Sequence, residues 1–596
     1  MKKNRRQQPR QPQPTEPAPN YAYVWPLVGI ILLNMVGALV PDYLFWGFNY
    51  WSLISRPLAL GILILALVLV LPRVSRTAAV FIRRAAKSLS GLLPHGNRLL
   101  TGSVVSLAVL TVLYVFRSKA HVYGDGISVL GATDVEGPLF HGQGYLQMLA
   151  IVFHRLWVAA TGAIFGLEAE PAFALANCVG GVVALWAIFL LSRALTQSTG
   201  QRWLVLVAAL SSGSIIRFFG YIENYTWAAA LGLWSLYYSV RVVQSRTGAA
   251  AAFVSALLAA AFHLIALPYL AVAALAWWLR RRTKQLPLPP ALKPTLLIAL
   301  VSLAAVALLQ LTPLAPVFVP FWPKAQNPYW LLSGQHIRDV LNLAILVAPL
   351  GVMTLIYMLI SRRFRIESQP EEKLLATTVV LFGLAAFWIN PELGAVRDWD
   401  LLAYYGIPFS MLAALMLSRI AGQNAGHAPL VFGMVIVALV HVVPNLMEKN
   451  NPAAAVARLD DYLWQDAHYQ ENCDQASRCL AWGYLLRTDV GDIGRARKYF
   501  ERRLRAKEDS DAAWVNLGQI YFDGGQYDSA AYCLARANSY LPNDASVLNK
   551  LANAEMNCGR PASALEFARQ AEILEPDDAS IQTTLGTLLY RMQQYR

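Results

Sequence analysis

Residues 118–144, SKAHVYGDGISVLGATDVEGPLFHGQG, form a polar, glycine-rich segment between hydrophobic runs that are long enough to cross a bilayer. The segment carries three carboxylates, at Asp125, Asp134 and Glu136. An ionised group that faces lipid is expensive, so a multispanning protein with acids at this place is expected to present them to water or substrate in a cavity. We therefore predict a polytopic membrane protein whose chemical centre is Asp125 in the Tyr-Gly-Asp-Gly turn.

The composition also indicates a membrane protein. Of the 596 residues, 56% are hydrophobic and 14% are charged, whereas soluble domains average roughly 45–50% apolar and roughly 25% charged residues. The net charge of +14 comes from short basic clusters beside the hydrophobic runs. That is the positive-inside pattern of membrane topology, and no basic stripe indicates a nucleic-acid partner.

The five cysteines show neither a CxxC motif nor a His/Cys cluster at metal-ligand spacing, so no zinc site is predicted. Cys473 and Cys479 lie close together in sequence. They could form a disulfide if this part of the chain is extracytoplasmic, or they could remain two free thiols.

The hydropathy pattern predicts an all-α fold that begins with a polytopic transmembrane helix bundle. Residues 1–24 are predicted to be a disordered basic tail in the cytosol, and residues 25–446 a multispanning domain of about thirteen spans of ~17–25 residues each. Tyr145–Leu167 is ambiguous between a span and a helix in the interface, because His154 and Arg155 interrupt its apolar run. The interfacial placement is favoured, since it leaves the later basic loops in the cytosol.

Two further polar turns, Gly220–Tyr225 and Asn390–Asp400, are predicted to emerge on the same outer side as Asp125. A shared cavity there would use Asp125 as a general base, although Asp125 and Glu223 also suit ordinary turn and helix-end positions. Arg397 could pair with its flanking acids, yet a guanidinium is also the preferred bidentate partner of phosphate. The predicted substrate-binding residues are Arg217, Glu223, Asn224, Arg397, Asp398 and Asp400.

A soluble repeat domain is predicted after the membrane domain. Residues 447–475 are interpreted as a polar connector, and residues 476–596 contain a repeat of 34 residues that matches the tetratricopeptide pattern W-x2-L-G-x2-Y. The pattern predicts an α-solenoid whose groove binds a protein partner or an acceptor polypeptide. The matching residues are Trp514, Leu517, Gly518, Tyr521, Ala530, Ala537 and Pro542, followed one period later by Leu551, Ala564, Ala571 and Pro576.

The layout resembles that of the GT-C glycosyltransferases, and its carboxy-terminal repeats are similar to the transmembrane-and-tetratricopeptide mannosyltransferase architecture. Asp125 in Tyr-Gly-Asp-Gly is the position that matches the family's outer-loop acid. It stands after the third predicted span, whereas the family usually places this acid after the first, and the adjacent second acid of the family motif is absent.

The resemblance implies an inverting transfer of a sugar from a polyprenyl-phosphate donor to a protein or glycan hydroxyl at the outer face. Asp125 would deprotonate the acceptor, and Arg397, together with Arg217, would neutralise the departing lipid phosphate. Glu223, Asn224, Asp398 and Asp400 would orient sugar hydroxyls or an optional divalent cation. The expected location is the bacterial inner (plasma) membrane, among its lipids, with a cytoplasmic amino terminus and extracytoplasmic repeats.

Other functions fit parts of the sequence. An O-antigen-type oligosaccharide ligase or polymerase would rely on Arg and His in a large outer loop, and the segment Thr312–Arg338 offers His336 and Arg338 but is short. A membrane-anchored scaffold of repeats would need only one apolar helix. A transporter would be expected to show an inverted hydropathy repeat, which is not evident.

Overall fold

The computed structural model describes the greater part of the chain. The predicted tail, except Val24, and the acidic segment, except Ser118 and Lys119, lie outside the described residues, as do Asp125, Asp134 and Glu136. The described residues are 24–37, 42–53, 55–71, 73–78, 80–81, 98–119, 147–282, 311–312, 315–323, 329–361, 369–391, 395–423, 427–449, 451–465 and 478–594.

The fold is helical, as predicted. The described residues contain no strand, and their one isolated bridge joins Phe318 and Ile389. The α-helices are Val24–Gly37, Asp42–Phe45, Arg56–Val70, Arg98–Val115, Met148–Phe165, Ala169–Leu195, Thr199–Leu210, Tyr225–Val243, Ala250–Phe262, Pro268–Arg282, Gly334–Val347, Pro349–Ile360, Pro370–Trp388, Gly406–Gln423, Ala428–Lys449, Pro452–Gln465, Arg478–Leu485, Ile493–Ala506, Asp511–Asp523, Tyr527–Tyr540, Ala545–Asn557, Pro561–Leu574 and Ala579–Gln594.

The number of candidate spans is smaller than the predicted thirteen. In the part of the chain that the structure describes, five helices are long and apolar enough to cross a membrane, and a sixth results if the bent pair Gly334–Val347 and Pro349–Ile360 counts as one. Four other apolar helices, such as Arg56–Val70, are shorter. A hydropathy pattern counts every apolar run as a span, including runs that form helices shorter than the about 20 residues that a full crossing needs.

Consecutive helices of the bundle run in opposite directions between two chemically different ends. At one end, here called the basic end, Gln244 Nε2 donates to Ala194 O (2.8 Å) and to Glu371 Oε1 (3.1 Å), and Arg419 pairs with Glu372 at 2.7 Å. The opposite end, here called the polar end, carries the turns 213–225 and 395–405. Basic residues close to the basic end are Arg193, Arg202, Arg241, Arg246, Arg280, Arg281 and Lys373.

The helix Met148–Phe165 has both of its ends at the polar end. The residue before it, Gln147, accepts a hydrogen bond from Asn224 (3.2 Å), and a short turn connects it to the helix Ala169–Leu195, which begins there. Midway, Trp157 Nε1 donates to Ala172 O at 3.0 Å. Its length and composition make the helix one of the five candidate spans, so the interfacial placement stays a prediction.

The predicted connector 447–475 is not an extended polar linker. Within it, the helix Pro452–Gln465 packs on the bundle and buries Val456, Arg458, Leu459 and Tyr462. The reason is amphipathicity, since its apolar residues recur at helical spacing. The predicted connector therefore contains a packed helix at Pro452–Gln465.

The repeat domain forms the predicted helical solenoid. Its helices starting at Asp511, Ala545 and Ala579 begin 34 residues apart, and so do those starting at Tyr527 and Pro561. Small residues at the helix crossings, including Ala530, Ala537, Ala564 and Ala571, are completely buried. The first solenoid helices share one continuous core with the membrane bundle, whereas the helices from Ala545 to Leu588 form a separate cluster.

Gly232 provides a test of the packing beside the polar end. A Cβ at this position would lie 2.0 Å from Cε2 of the buried Tyr269 ring, whereas a Cβ at Gly383, also inside a helix, would meet nothing within 4 Å. We expect Gly232→Ala to destabilise the protein by about 1–3 kcal/mol through overpacking. Gly383→Ala is expected to be neutral or to stabilise by up to about 1 kcal/mol through helix propensity.

Both variants are unfolded by heating in detergent, and unfolding is monitored by intrinsic tryptophan fluorescence. Equal melting temperatures for the two variants would contradict the close approach of Tyr269 to Gly232.

Candidate functional site

The two predicted outer turns meet at the polar end. Arg217 Nη2 donates to Asp400 O at 3.1 Å, and the rings of Tyr221 and Trp399 lie 5.9 Å apart. The Tyr404 hydroxyl donates to the backbone oxygen of Tyr225 at 3.3 Å. The structure therefore brings the turn Gly220–Tyr225 and the carboxyl-terminal part of Asn390–Asp400 into direct contact; Glu392 lies outside the described residues.

Gly220 allows the first turn to pack this tightly. Its φ is +61°, in the left-handed region, and a Cβ would lie 3.0 Å from Arg117 Cβ and 3.1 Å from Cys178 Sγ. Only glycine adopts this backbone conformation without a steric cost. The turn is held further by Asn177, whose amide donates to Tyr221 O (2.6 Å) and to Glu223 O (3.0 Å).

Arg217 lies inside this contact rather than in an open pocket. Its guanidinium lies 4.8 Å from the centre of the Tyr404 ring, and Nε and Nη1 have no hydrogen-bond partner among the described residues. Burial lowers the pKa of Arg217, which the Tyr404 ring and Asp400 partly oppose. The adjoining void, lined by Ser214 and Tyr269, measures about 10 Å³ and has room for one water molecule at most.

Asp400 is enclosed between cations. Its Oδ1 accepts a hydrogen bond from the Leu401 amide at 2.9 Å, while Oδ2 is buried and has no partner in the described part of the chain. Burial raises the pKa of the Asp400 carboxyl to about 6, against the attraction of Arg217 and Lys449. The nearby positive charge therefore favours the ionised form of this buried carboxyl, whereas burial opposes it.

A second set of buried charges adjoins Asp400 and was missed in the sequence. Lys449 Nζ lies 3.4 Å from Glu448 Oε2 and 5.6 Å from the centre of the Trp399 ring. Arg458 Nη1 lies 3.8 Å from Glu448 Oε1, and its Nη2 donates to Trp46 O. The name buried charge cluster is used below for Arg217, Asp400, Glu448, Lys449 and Arg458. Glu448 and Lys449 are the last residues of a long apolar helix. Two charged residues at the end of such a run were the sequence signal that could have indicated this cluster.

The described residues at the start of the acidic segment contact this cluster and the turn beside it. The Lys119 amide donates to Lys449 O at 2.9 Å, and the Ser118 amide donates to Phe219 O at 2.8 Å. Gln147, three residues beyond the segment, accepts a hydrogen bond from Asn224. Asp125 itself lies outside the described residues.

The other predicted substrate residues occupy different surroundings. Glu223 and Asn224 are buried, and the Oδ1 of Asn224 has no hydrogen-bond partner among the described residues. The guanidinium of Arg397 lies 5.4 Å from the centre of the ring of Trp482, in the first helix after the connector. Asp398 is buried in the same turn, and its backbone oxygen accepts from the Leu402 amide at 3.4 Å.

His336, which the ligase alternative would use, is enclosed by aromatic rings. Its Nδ1 lies 3.1 Å from the Tyr329 hydroxyl, and its ring centre is 5.0 Å from that of Phe387. Arg338 O accepts from Asn342, whose side chain also bonds the turn around Leu44. Among the described residues, no group of three or more His, Cys, Asp or Glu side chains could hold a metal ion.

The cysteines divide into two kinds. Cys479 is disulfide-bonded, whereas Cys178, Cys533 and Cys558 are free. The fifth cysteine, Cys473, lies outside the described residues.

Comparison with known proteins identifies one part of the chain. A family described as tetratricopeptide repeat matches residues 488–554. No curated protein matches the sequence. Among solved structures, the APC/C hetero-tetramer Cut9–Hcn1 aligns at 14% identity over 75% of this chain and 98% of that one, but with a TM-score of 0.20 the likeness carries no argument. The comparison therefore supports tetratricopeptide repeats in residues 488–554.

Glu448 tests the balance of the buried charge cluster. Glu448→Gln removes the carboxylate that faces both Lys449 and Arg458, so that two cations repel each other at a site without exposure to water. Breaking a buried charge pair costs about 3–5 kcal/mol. The matched control is Glu501→Gln, which breaks the exposed pair with Arg497 (2.8 Å) and should cost less than about 1 kcal/mol.

The measurement is again the thermal melting temperature of the purified protein. If Glu448→Gln melts no lower than Glu501→Gln, the cluster does not depend on this carboxylate.

Proposed function

We propose that this protein is a membrane glycosyltransferase that moves a sugar from a polyprenyl-phosphate donor to a protein or glycan hydroxyl at the extracytoplasmic face. The observation that carries the proposal is the attachment of the acidic segment. Lys119 at its start is bonded to Lys449, and Gln147 beyond its end is bonded to Asn224. The described residues that flank the acidic segment thus contact the buried charge cluster at Lys449 and the adjoining turn at Asn224, which supports a pairing of a base with a leaving phosphate.

The charges of the cluster favour an anionic substrate. Three cations, Arg217, Lys449 and Arg458, stand against two carboxylates, Asp400 and Glu448. These side chains lie in surroundings of low dielectric constant, where their field is stronger than in water. Because they are buried, they would stabilise the negative charge on the leaving polyprenyl phosphate through this field rather than by direct contact.

The proposed reaction is a single displacement. The Asp125 carboxylate takes the proton of the acceptor hydroxyl, and the acceptor oxygen forms a bond to the anomeric carbon. The bond between that carbon and the phosphate oxygen breaks, its electron pair leaves with the lipid phosphate, and the anomeric configuration inverts. A lipid-linked donor carries its own activation, so no nucleotide-binding motif is needed.

The chemical difference between the two ends of the bundle supports the proposed orientation. Basic residues gather at the basic end, which the positive-inside tendency assigns to the cytosol. The polar end, the acidic segment and the solenoid then face the opposite compartment, because Arg397 and Arg458 connect the solenoid side to the polar end. The disulfide at Cys479 is consistent with an oxidising compartment.

Asp125→Asn tests the proposed base. The change is nearly isosteric and removes proton acceptance, so we expect transfer to fall by at least about 100-fold. Asp134→Asn alters the charge of the same segment by the same amount and should retain activity within about threefold. The assay uses purified protein, a synthetic polyprenyl-phosphate sugar and an envelope extract as acceptor. Full activity of Asp125→Asn alongside an active wild type would reject the assigned role.

Cysteine labelling tests the orientation. Ser546→Cys places an exposed thiol on the solenoid, and Gln197→Cys places one at the basic end. In right-side-out spheroplasts, a membrane-impermeant maleimide should label Ser546→Cys directly and Gln197→Cys only after the membrane is permeabilised. The opposite pattern would place the solenoid in the cytosol and remove the proposed site from the outer face.

A further inference from the structure

The solenoid touches the candidate site through one aromatic side chain. Arg397 belongs to the turn that carries Asp400, and its guanidinium lies 5.4 Å from the centre of the Trp482 ring. This distance is within the range of a cation–π interaction. Trp482 is 1% exposed, so the contact is shielded from water and from salt.

Trp482 is itself held in place by the helix Pro452–Gln465 and by the first solenoid helices. Its indole Nε1 donates to Asp460 Oδ1 at 3.2 Å, and Asp460 Oδ2 lies 3.5 Å from Arg495 Nε. Its neighbour Gly483 packs so closely that a Cβ would lie 2.8 Å from the Phe500 ring. The indole is thus fixed by a hydrogen bond at its edge and by tight helix packing at its backbone.

Beside the 2.9 Å bond from the Leu401 amide to Asp400 Oδ1, two backbone hydrogen bonds inside the turn that carries Asp400 are long. The Leu402 amide donates to Asp398 O and the Ala403 amide to Asp400 O, each at 3.4 Å, which is longer than the usual 2.7–3.2 Å. Stronger support comes from its neighbours, since Arg217 donates to Asp400 O on the bundle side. The conformation of the turn therefore depends on what packs against it.

We propose that Trp482 is a positioning residue for the candidate site. Held by Asp460 and Arg495, its indole fixes Arg397 and thereby the turn that places Asp400 beside Arg217 and Lys449. The solenoid is then a wall of the site, and it sets the geometry of the buried charge cluster. The contact between Arg397 and Trp482 does not depend on which reaction the protein catalyses, whereas its expected effect on turnover rests on the proposed function.

The test compares two tryptophans with the same kind of partner. Trp514 also lies under an arginine, Arg536, at 5.6 Å, but both belong to the solenoid and do not touch the turn. Hydrogen–deuterium exchange is measured on the full-length protein in nanodiscs. We expect Trp482→Ala to speed exchange of the Leu401, Leu402 and Ala403 amides at least tenfold, and Trp514→Ala to leave it unchanged.

Two further variants keep the test decisive if Trp482→Ala does not fold. Trp482→Phe retains a ring but loses the hydrogen bond to Asp460, and we expect an intermediate, two- to fivefold increase in exchange. Asp460→Asn keeps the size of the side chain and removes the charge that faces Arg495, with a similar increase expected. Equal exchange of these amides in the wild type, Trp482→Phe and Asp460→Asn would overturn the proposal.

Turnover gives the second readout. In the transfer assay, Trp482→Ala should lower kcat about tenfold and change KM for the donor less than twofold, and Trp482→Phe should restore part of kcat. A loosened turn with undiminished kcat would overturn the positioning role. A wild-type protein without transfer activity would count against the proposed function, while the exchange experiment would still decide the contact.

Discussion

The pairing of buried charges determines how the polar end is assembled. An ion without water costs several kcal/mol unless a partner compensates it, and here five ionisable side chains are enclosed at one junction. Each comes from or contacts a different part of the chain. Glu448 and Lys449 end the last helix of the bundle, Arg458 reaches in from the next helix to Trp46 O, and Asp400 meets Arg217. If any one of these segments were removed, a charged side chain on another segment would lose its partner inside a low-dielectric core.

This junction makes the first part of the solenoid an extension of the membrane domain. The continuous core includes Leu27 near the amino terminus, Trp482 and Phe500. The later repeats, with Leu548 and Leu585, bury a cluster of their own. The early helices are therefore occupied with supporting the polar end, and the later helices are the ones whose surfaces remain available to a partner, as is usual for solenoids with extended binding surfaces.

The sequence was sufficient for features that depend on local patterns. The 34-residue spacing of Trp514, Leu517 and their successors predicted the solenoid, because each repeat needs the same small and large residues at the same crossings. Basic flanks predicted that the turns around Glu223 and Asp400 share a side, since these flanks distinguish the two ends of each helix. Within the described residues, fewer candidate spans are found than predicted, because apolar runs such as Arg56–Val70 form helices shorter than a full crossing.

Features that depend on long-range contact could not be predicted in this way. In the sequence, Arg458 is one of several charged residues in a predicted connector. Its contact with Glu448 results from the packing of its helix, which the sequence pattern does not show. Arg397 was predicted beside a phosphate, but its nearest aromatic partner, Trp482, belongs to a distant part of the chain whose docking no periodicity encodes.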